Sequence, residues 1–155
     1  MANRIYTSSA GCFNYATRGV NMLSTKDILS VMKERPLICT PIAADNFDSY
    51  LNLLQSAKNM GSDIAEFRID YFKNITAEVL NNVISESELP LIVTNRNRED
   101  GGMFSSGEEV RLELLETAIE SKPSFVDIEV AIDREKRDNI IQKARINDVL
   151  SLIHI

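Results

Sequence analysis

Short apolar runs alternate with longer amphipathic segments from residue 36 onward, and this alternation limits the possible folds more than any other feature of the sequence. An apolar run bounded by turn residues predicts a buried strand, and apolar residues at i, i+3, i+4 and i+7 predict a helix. Strands are predicted in this way over residues 37–42, 64–69, 91–94, 125–130 and 149–153.

Amphipathic segments separate these runs and predict helices over residues 46–60, 76–84, 108–121 and 133–144. Thr76 is suited to cap the second helix at its N-terminus, and Gly61 is placed to end the first. A regular β–α alternation implies a parallel sheet with helices packed on it, because parallel strands need crossover connections.

Two α/β folds share this pattern, a five-stranded doubly wound sheet and the first five units of a (β/α)8 TIM barrel. A barrel builds its site from the ends of several strands, whereas a doubly wound sheet binds ligands at one switch point. The barrel is favoured because polar residues lie near the C-terminal ends of four predicted strands, namely Thr40, Glu66, Arg68, Arg96 and Glu129.

The predicted barrel is incomplete. Such barrels usually have about 250 residues, and this chain has 155. We therefore expect about the first five β/α units over residues 36–155. A leader and a first short element are expected over residues 1–35.

Composition excludes several partners and compartments. The formal net charge of -6 argues against a nucleic-acid partner, which would favour a basic surface. No apolar run reaches the roughly 20 residues of a membrane helix, and Cys12 and Cys39 show neither a disulfide framework nor a metal-ligand spacing. A reducing compartment, the cytoplasm, fits best. Residues 1–26 contain basic residues, several Ser and Thr, and no acidic residue, a composition typical of a transit peptide, so a plastid transit peptide is an alternative to a plain leader.

Charged residues at the ends of two neighbouring strands predict an anion site. Glu66 and Arg68 are two positions apart, so strand alternation sends both side chains to one face. Arg96 follows the next strand, just as the polar loop over residues 95–107 begins. Arginine offers planar, paired donors to a carboxylate, so a small acidic ligand is expected at this edge.

Several ordered blocks of sequence resemble type I 3-dehydroquinate dehydratases, lyases of the shikimate pathway. The blocks are PLICTPI at 36–42, GSDIAEFRIDYF at 61–72, PLIVTNR followed by a glycine pair at 90–102, and AIES followed by FVDIEV at 118–130. The resemblance implies a TIM barrel that converts 3-dehydroquinate to 3-dehydroshikimate and water through a lysine Schiff base. It implies no metal and no organic cofactor.

The resemblance also implies a set of site residues. Thr40, Glu66, Arg68 and Arg96 match the family's substrate-binding positions, and Asp100, which stands where the family has a loop glutamate, is expected to bind substrate with them. His154 lies at the end of the fifth strand, as the family's catalytic histidine does, but Ile155 follows it where the family has Asp-Phe. The imine-forming lysine of the family lies on a sixth strand, so this chain is expected to lack it.

Other functions remain as alternatives. A five-stranded binding module of the flavodoxin or receiver type has the same β–α rhythm. However, residues 42–45 are not a phosphate-binding loop, and Thr40-Pro41 and Asn95-Arg96 stand where a receiver needs acids. The sequence leaves a homodimer open, and an incomplete barrel is expected to self-associate through its exposed sheet edges.

Overall fold

The structure, a computed structural model, describes the backbone of residues 25–154 and the side chains of residues 27–153. The predicted leader up to residue 24, with Cys12, lies outside the described residues. In chain order the elements are α1 (Thr25–Glu34), β1 (Cys39–Ile42), α2 (Phe47–Asn59), β2 (Ile64–Arg68), α3 (Ala77–Ser85), β3 (Leu91–Thr94), α4 (Glu108–Glu120), β4 (Phe125–Glu129), α5 (Arg134–Ile146) and β5 (Leu150–His154).

Local signals set the helix ends as the sequence predicts. The Thr76 hydroxyl accepts the backbone N–H of Val79 at 3.2 Å and begins α3. Gly61 follows the last turn of α2 with φ of 89°, a left-handed conformation that glycine adopts without a steric penalty. Asp133 caps α5 by accepting the N–H groups of Glu135 and Lys136.

The strands form one parallel sheet in the order β1-β2-β3-β4-β5. Each strand pairs with the strand before it, so the order never reverses. A doubly wound sheet requires a reversal, because its ligand site is the point where the strand order changes direction. The strand order therefore rules out the flavodoxin-like arrangement and fits consecutive units of a barrel.

One face of the sheet is covered by the helices and holds most of the apolar core. Tyr50 of α2, Phe67 of β2 and Phe72 form a cluster of edge-to-face rings with centroids 5.0 to 6.4 Å apart. A second cluster lies under α4 and α5, where Leu115 and Ile128 are fully buried. Buried apolar side chains at alternate strand positions thus fix which face of each strand turns toward the helices.

The opposite face, here called the inner face, changes from apolar to charged along the strands. Its residues nearest the N-terminal ends are Ile64, Phe125 and the partly buried Ile92, and Ile28 of α1 packs against them. Helix α1 therefore closes the bottom of the inner face with an apolar contact. The charged residues lie at the other end.

Both edges of the sheet are open in the described part of the chain. Strands β1 and β5 each pair with one neighbour only. Exposed apolar side chains lie at these edges, since Ile38 beside β1 is 61% exposed and Ile153 of β5 is 50% exposed. Within residues 25–154, no helix has the length and hydropathy needed to cross a membrane.

Replacing Ile28 with alanine tests the role of α1. Ile28 is 1% exposed, so truncation should leave a cavity between α1 and the sheet and lower the free energy of unfolding. We expect a loss of about 2–4 kcal/mol in urea unfolding. Leu29→Ala on the same helix is the control, because Leu29 is 40% exposed and its loss should cost about 0.5 kcal/mol or less. Equal losses for both variants would contradict the packing of α1.

A second prediction concerns Asp63, which ties the segment before β1 to the start of β2. Arg35 donates to both carboxylate oxygens at 2.9 and 2.6 Å, and the N–H of Ile38 donates at 2.9 Å. The Arg35 hydrogen bonds hold the pKa of Asp63 below its ordinary 3.8. Because the folded pKa is lower than the unfolded one, this stabilisation is present at neutral pH and is lost as the pH falls through the folded pKa.

We expect Asp63→Asn to lower the free energy of unfolding by about 1–2 kcal/mol at neutral pH, since Arg35 is half exposed and the pair is partly screened. The difference from wild type should shrink as the pH is lowered toward about 3. Urea unfolding at a series of pH values measures this gap. A gap that does not change with pH would show that the carboxylate charge is not the source of the stabilisation.

Candidate functional site

Charged side chains gather at the C-terminal ends of three adjacent strands. Glu66 is level with Ile92, Arg68 is level with Thr94, and parallel partners share a face of the sheet. Arg96 lies just beyond Thr94 on the same side. We call the group formed by Glu66, Arg68, Arg96, Asp127 and Glu129 the rim.

Arg68 is held by a buried carboxylate on its own chain segment. Asp70 lies in the short 3-10 turn Ile69–Tyr71 that follows β2. Its carboxylate accepts hydrogen bonds from Arg68 Nε at 2.9 Å and from a terminal nitrogen of Arg68 at 2.8 Å. The Asp70 side chain is completely buried, and these bonds raise the pKa of Arg68. The guanidinium also lies 5.1 Å from the Tyr71 ring centre, within cation–π range. Arg68 is therefore fixed in one orientation.

Arg96 is held from the neighbouring strand. Asp127 of β4 accepts one of its terminal nitrogens at 2.9 Å. Its Nε is buried, is 4.0 Å from the nearest oxygen of Glu129, and has no hydrogen-bond partner among the described residues. The hydroxyl of Thr94, on the same face, is also buried without a described partner. Buried polar groups normally find partners, and these two groups have hydrogen-bonding capacity that the described residues leave unused.

Glu66 differs from the two arginines. Among the described side chains no hydrogen bond to its carboxylate is present, and its charge acts on its neighbours through space. After desolvation by the surrounding protein, that charge helps to raise the pKa of the Cys39 thiol to about 11. The Glu66 carboxylate is thus an acceptor beside two fixed cationic groups, an arrangement suited to a ligand hydroxyl.

Glu129 connects the rim to helix α4. Its Oε2 lies 2.8 Å from a terminal nitrogen of Arg111, a residue of α4 whose side chain is 2% exposed. The backbone N–H and the side-chain amide of Asn97 also donate to Glu129, at 3.4 and 3.3 Å. Burial raises the pKa of Glu129 above its ordinary value, and the charge of Arg111 acts in the opposite direction.

The loop after β3 folds back over the rim. Asp100 donates its N–H to Asn97 Oδ1 at 2.7 Å and accepts the Asn97 amide at 2.8 Å. Gly102 allows this return, because a Cβ at that position would lie 2.1 Å from the carbonyl oxygen of Arg96. The loop borders a cleft of about 600 Å³, which Asp100, Arg111 and Glu129 line.

Thr40 is not brought to the rim. It is level with Ala65, on the face that the helices cover, and its hydroxyl bonds to that of Ser62 at 2.6 Å. Alternation instead places Cys39 and Pro41 on the inner face, level with Ile64 and Glu66. A substrate contact by Thr40 stays a prediction from the resemblance alone.

His154 is described only by its backbone, which pairs with Glu129 at the end of β5. Its place in the strand is at the level of the rim, while its side chain lies outside the described residues. The proton-transfer role of His154 therefore stays a prediction.

No lysine lies on a strand in residues 25–154. The lysines with described side chains are on helices or connecting loops, namely Lys33, Lys58, Lys73, Lys122, Lys136 and Lys143. The same part of the chain has no group of three or more His, Cys, Asp or Glu placed to hold a metal ion.

Sequence reasoning found the two arginines but missed the residues that hold them. Asp70 lies two positions after Arg68, and Asp127 lies two positions before Glu129. Strand alternation could therefore have identified both aspartates. Asn97 and Arg111 carry no such signal. Arg111 is in the first turn of a helix rich in charged residues, where a solvated position is the ordinary expectation.

Comparison with known proteins gives one consistent family. The family model described as Type I 3-dehydroquinase matches residues 38–154. A 3-dehydroquinate dehydratase of Methanosarcina barkeri is 36% identical over 110 residues, covering 67% of this chain and 46% of the relative. A bifunctional 3-dehydroquinate dehydratase/shikimate dehydrogenase of Arabidopsis thaliana, named as chloroplastic, is 31% identical over 106 residues, covering 68% of this chain and 18% of the relative.

Solved structures agree with the sequence comparison. A type I 3-dehydroquinate dehydratase of Clostridium difficile, with covalently modified comenic acid, superposes with a TM-score of 0.71 at 25% identity and covers 77% of this chain. The enzyme of Aquifex aeolicus superposes with a TM-score of 0.64 at 26% identity and covers 76%. This chain spans 50% and 52% of those two chains, and less than half of either sequence relative.

The Arg68–Asp70 pair gives a testable prediction. Asp70→Asn should remove the counter-charge of a guanidinium that is only 14% exposed and disturb the bond from Met103 N–H. We expect the free energy of unfolding to fall by about 3–5 kcal/mol in urea titrations. Asp138→Asn is the control, because its pair with Arg134 is exposed and should contribute about 0.5 kcal/mol or less. Matching effects would mean that Asp70 does not fix Arg68.

Proposed function

This chain belongs to the type I 3-dehydroquinase family, and we propose that its rim binds 3-dehydroquinate, within an enzyme that converts this substrate to 3-dehydroshikimate and water. One observation carries the proposal: Arg68 and Arg96 lie on the same face of adjacent strands, and a different carboxylate holds each of them. A small acid with several hydroxyls needs fixed donors and acceptors at defined positions. The rim supplies both.

The groups left without described partners support specific contacts. The buried Nε of Arg96 and the buried Thr94 hydroxyl can donate to a ligand oxygen. Glu66 can accept from a ligand hydroxyl, and Arg68 presents the outer side of its guanidinium while Asp70 holds its Nε and one terminal nitrogen. A substrate held by several such bonds would lie in one orientation, which is the condition for selective proton removal.

The proposed reaction proceeds through an imine. An amine joins the substrate ketone and releases one water, and the imine then draws electrons from the neighbouring carbon so that a base can remove its proton. The hydroxyl on the next carbon leaves with a proton as a second water, and hydrolysis of the imine consumes one water. Overall, each turnover therefore releases one water. We propose His154 as the group that moves protons, and Asp100 as a substrate-binding residue of the loop after β3.

The imine-forming lysine is proposed to lie outside the strands described here, because none of those strands carries a lysine. The chain would then contribute binding and proton transfer, while the amine comes from a further β/α unit. We also propose that the protein works in the cytoplasm, or in a plastid like the Arabidopsis relative if residues 1–26 act as a transit peptide. Pairing between copies through the open edges of β1 and β5 is the proposed route to a homodimer.

Calorimetric titration with 3-dehydroquinate tests the binding role. Wild-type protein should bind the ligand, and Arg96→Met should weaken binding about tenfold or more, since hydrogen bonds to charged groups contribute about 1.5–3 kcal/mol. Arg134→Met on α5 should leave the dissociation constant unchanged, because the Arg134 side chain is 88% exposed and pairs with Asp138 on the same helix. The rim is not the substrate site if wild type fails to bind or if both variants bind equally well.

Borohydride reduction in the presence of 3-dehydroquinate tests the origin of the amine. We expect no covalent adduct on the 155-residue chain, since the described strands carry no lysine at the rim. A chain extended by three further β/α units should be labelled on a lysine of the added part. Substrate-dependent labelling of a lysine in the present chain would contradict this assignment.

A further inference from the structure

Backbone pairing between β3 and β4 ends before it reaches the rim. The registered pairs are Ile92 with Phe125 and Val93 with Val126, whereas β4 and β5 stay paired as far as Glu129. Arg96 and Asn97 therefore emerge where no strand-to-strand hydrogen bonds hold the two chain segments together. Side chains must take over that task.

The Arg96–Asp127 pair spans this gap on the inner face, and Arg111 spans it from helix α4. One of its terminal nitrogens donates to the carbonyl oxygen of Asn95 at 2.9 Å and lies 2.8 Å from Glu129. Its Nε and the other terminal nitrogen bind Glu108 in the first turn of α4. The guanidinium thus joins the end of β3, the end of β4 and the start of α4.

The connection continues from Glu129 to the loop acid. Asn97 donates to Glu129 through its backbone and its side chain, and the same side chain both donates to Asp100 and accepts from it. Asp100 itself is exposed, and among the described residues its side-chain and N–H hydrogen bonds go to Asn97 and not to Arg111. Its position at the rim therefore depends on a chain of contacts that begins at a buried residue.

We propose that Arg111 is a positioning residue, which acts through Glu129 and Asn97 to hold Asp100 at the rim. The functional importance of this placement rests on the proposed function, in which Asp100 is a substrate-binding residue. The structural part of the inference does not depend on it.

Energetics favour a positioning role over a role in packing alone. Burying a guanidinium costs desolvation free energy, and an apolar side chain on the buried face of α4 would fill the space without that cost. Arg111 also opposes the effect of burial on the pKa of Glu129, so its charge favours the ionised form of this carboxylate. A residue that served packing only would need none of these bonds.

Amide hydrogen exchange tests the proposal on the protein without a ligand. In Arg111→Met, the amides of Asn97 and Asp100 should exchange about tenfold faster or more, because the bonds that protect them lose their anchor. Amides of α2 should be unaffected. Arg137→Met is the matched control, since Arg137 also donates to a backbone carbonyl, that of Val130. It should change the exchange rate of neither the Asn97 nor the Asp100 amide.

A double variant separates positioning from stability. Arg111→Met alone leaves Glu129 buried without its main counter-charge and can unfold the chain. Arg111→Met/Glu129→Gln removes both charges, keeps a side-chain oxygen that can accept from the Asn97 N–H, and should recover part of the lost unfolding free energy. We expect the amides of Asn97 and Asp100 to exchange rapidly in this double variant as well. Recovered protection, or unchanged protection in the single variant, would overturn the proposal.

Ligand binding provides the functional readout. Arg111→Met and Asp100→Asn should each weaken 3-dehydroquinate binding, and the combined variant should lose clearly less than the product of the two effects, because both act on one group. Arg111→Lys should restore part of the affinity. Losses that simply multiply would overturn the proposal. Failure of wild type to bind would reject the proposed function, while the exchange experiment would still decide the role of Arg111.

Discussion

Two guanidinium groups can face the same small ligand only if something stops them from turning away or repelling each other, and buried carboxylates do this here. Asp70 holds Arg68 within one chain segment, and Asp127 holds Arg96 across two strands. Each pair is partly removed from water, so its geometry is set by direct hydrogen bonds rather than by screened attraction. The arrangement leaves one buried donor of Arg96 free. The two guanidinium groups are therefore held in fixed orientations.

These pairs depend in turn on strand alternation. On the helix-covered face, large apolar residues such as Phe67 and Ile128 commit each strand to one orientation. Glu66, Arg68, Asp127 and Glu129 must then take the other face, and their position near the C-terminal ends brings them together at one level. Helix α1 covers the apolar end of the same face through Ile28. The fold thus separates a region that supplies stability from a region that supplies chemistry.

Much of this arrangement could be predicted from the sequence. The strands and helices lie within a few residues of their predicted bounds, and Thr76 and Gly61 act at helix ends as expected, because these signals are local. Thr40 shows the limit, since its face depends on the pairing of β1 with β2 and not on its neighbours. Arg111 shows another limit, because two of its partners, Asn95 and Glu129, lie 16 and 18 residues away in the chain. Periodicity carries no information on such contacts.

The uninterrupted strand order also has a consequence for how the chain acquires its structure during synthesis. Each new strand adds beside the strand made just before it, with one crossover helix between them. Each pairing joins residues 25 to 33 positions apart in the chain, so a strand can pair once the next β/α unit has been made. A ribosome-bound chain can therefore form this sheet from its first strand to its last. At each stage the next strand adds to the edge formed by the strand before it.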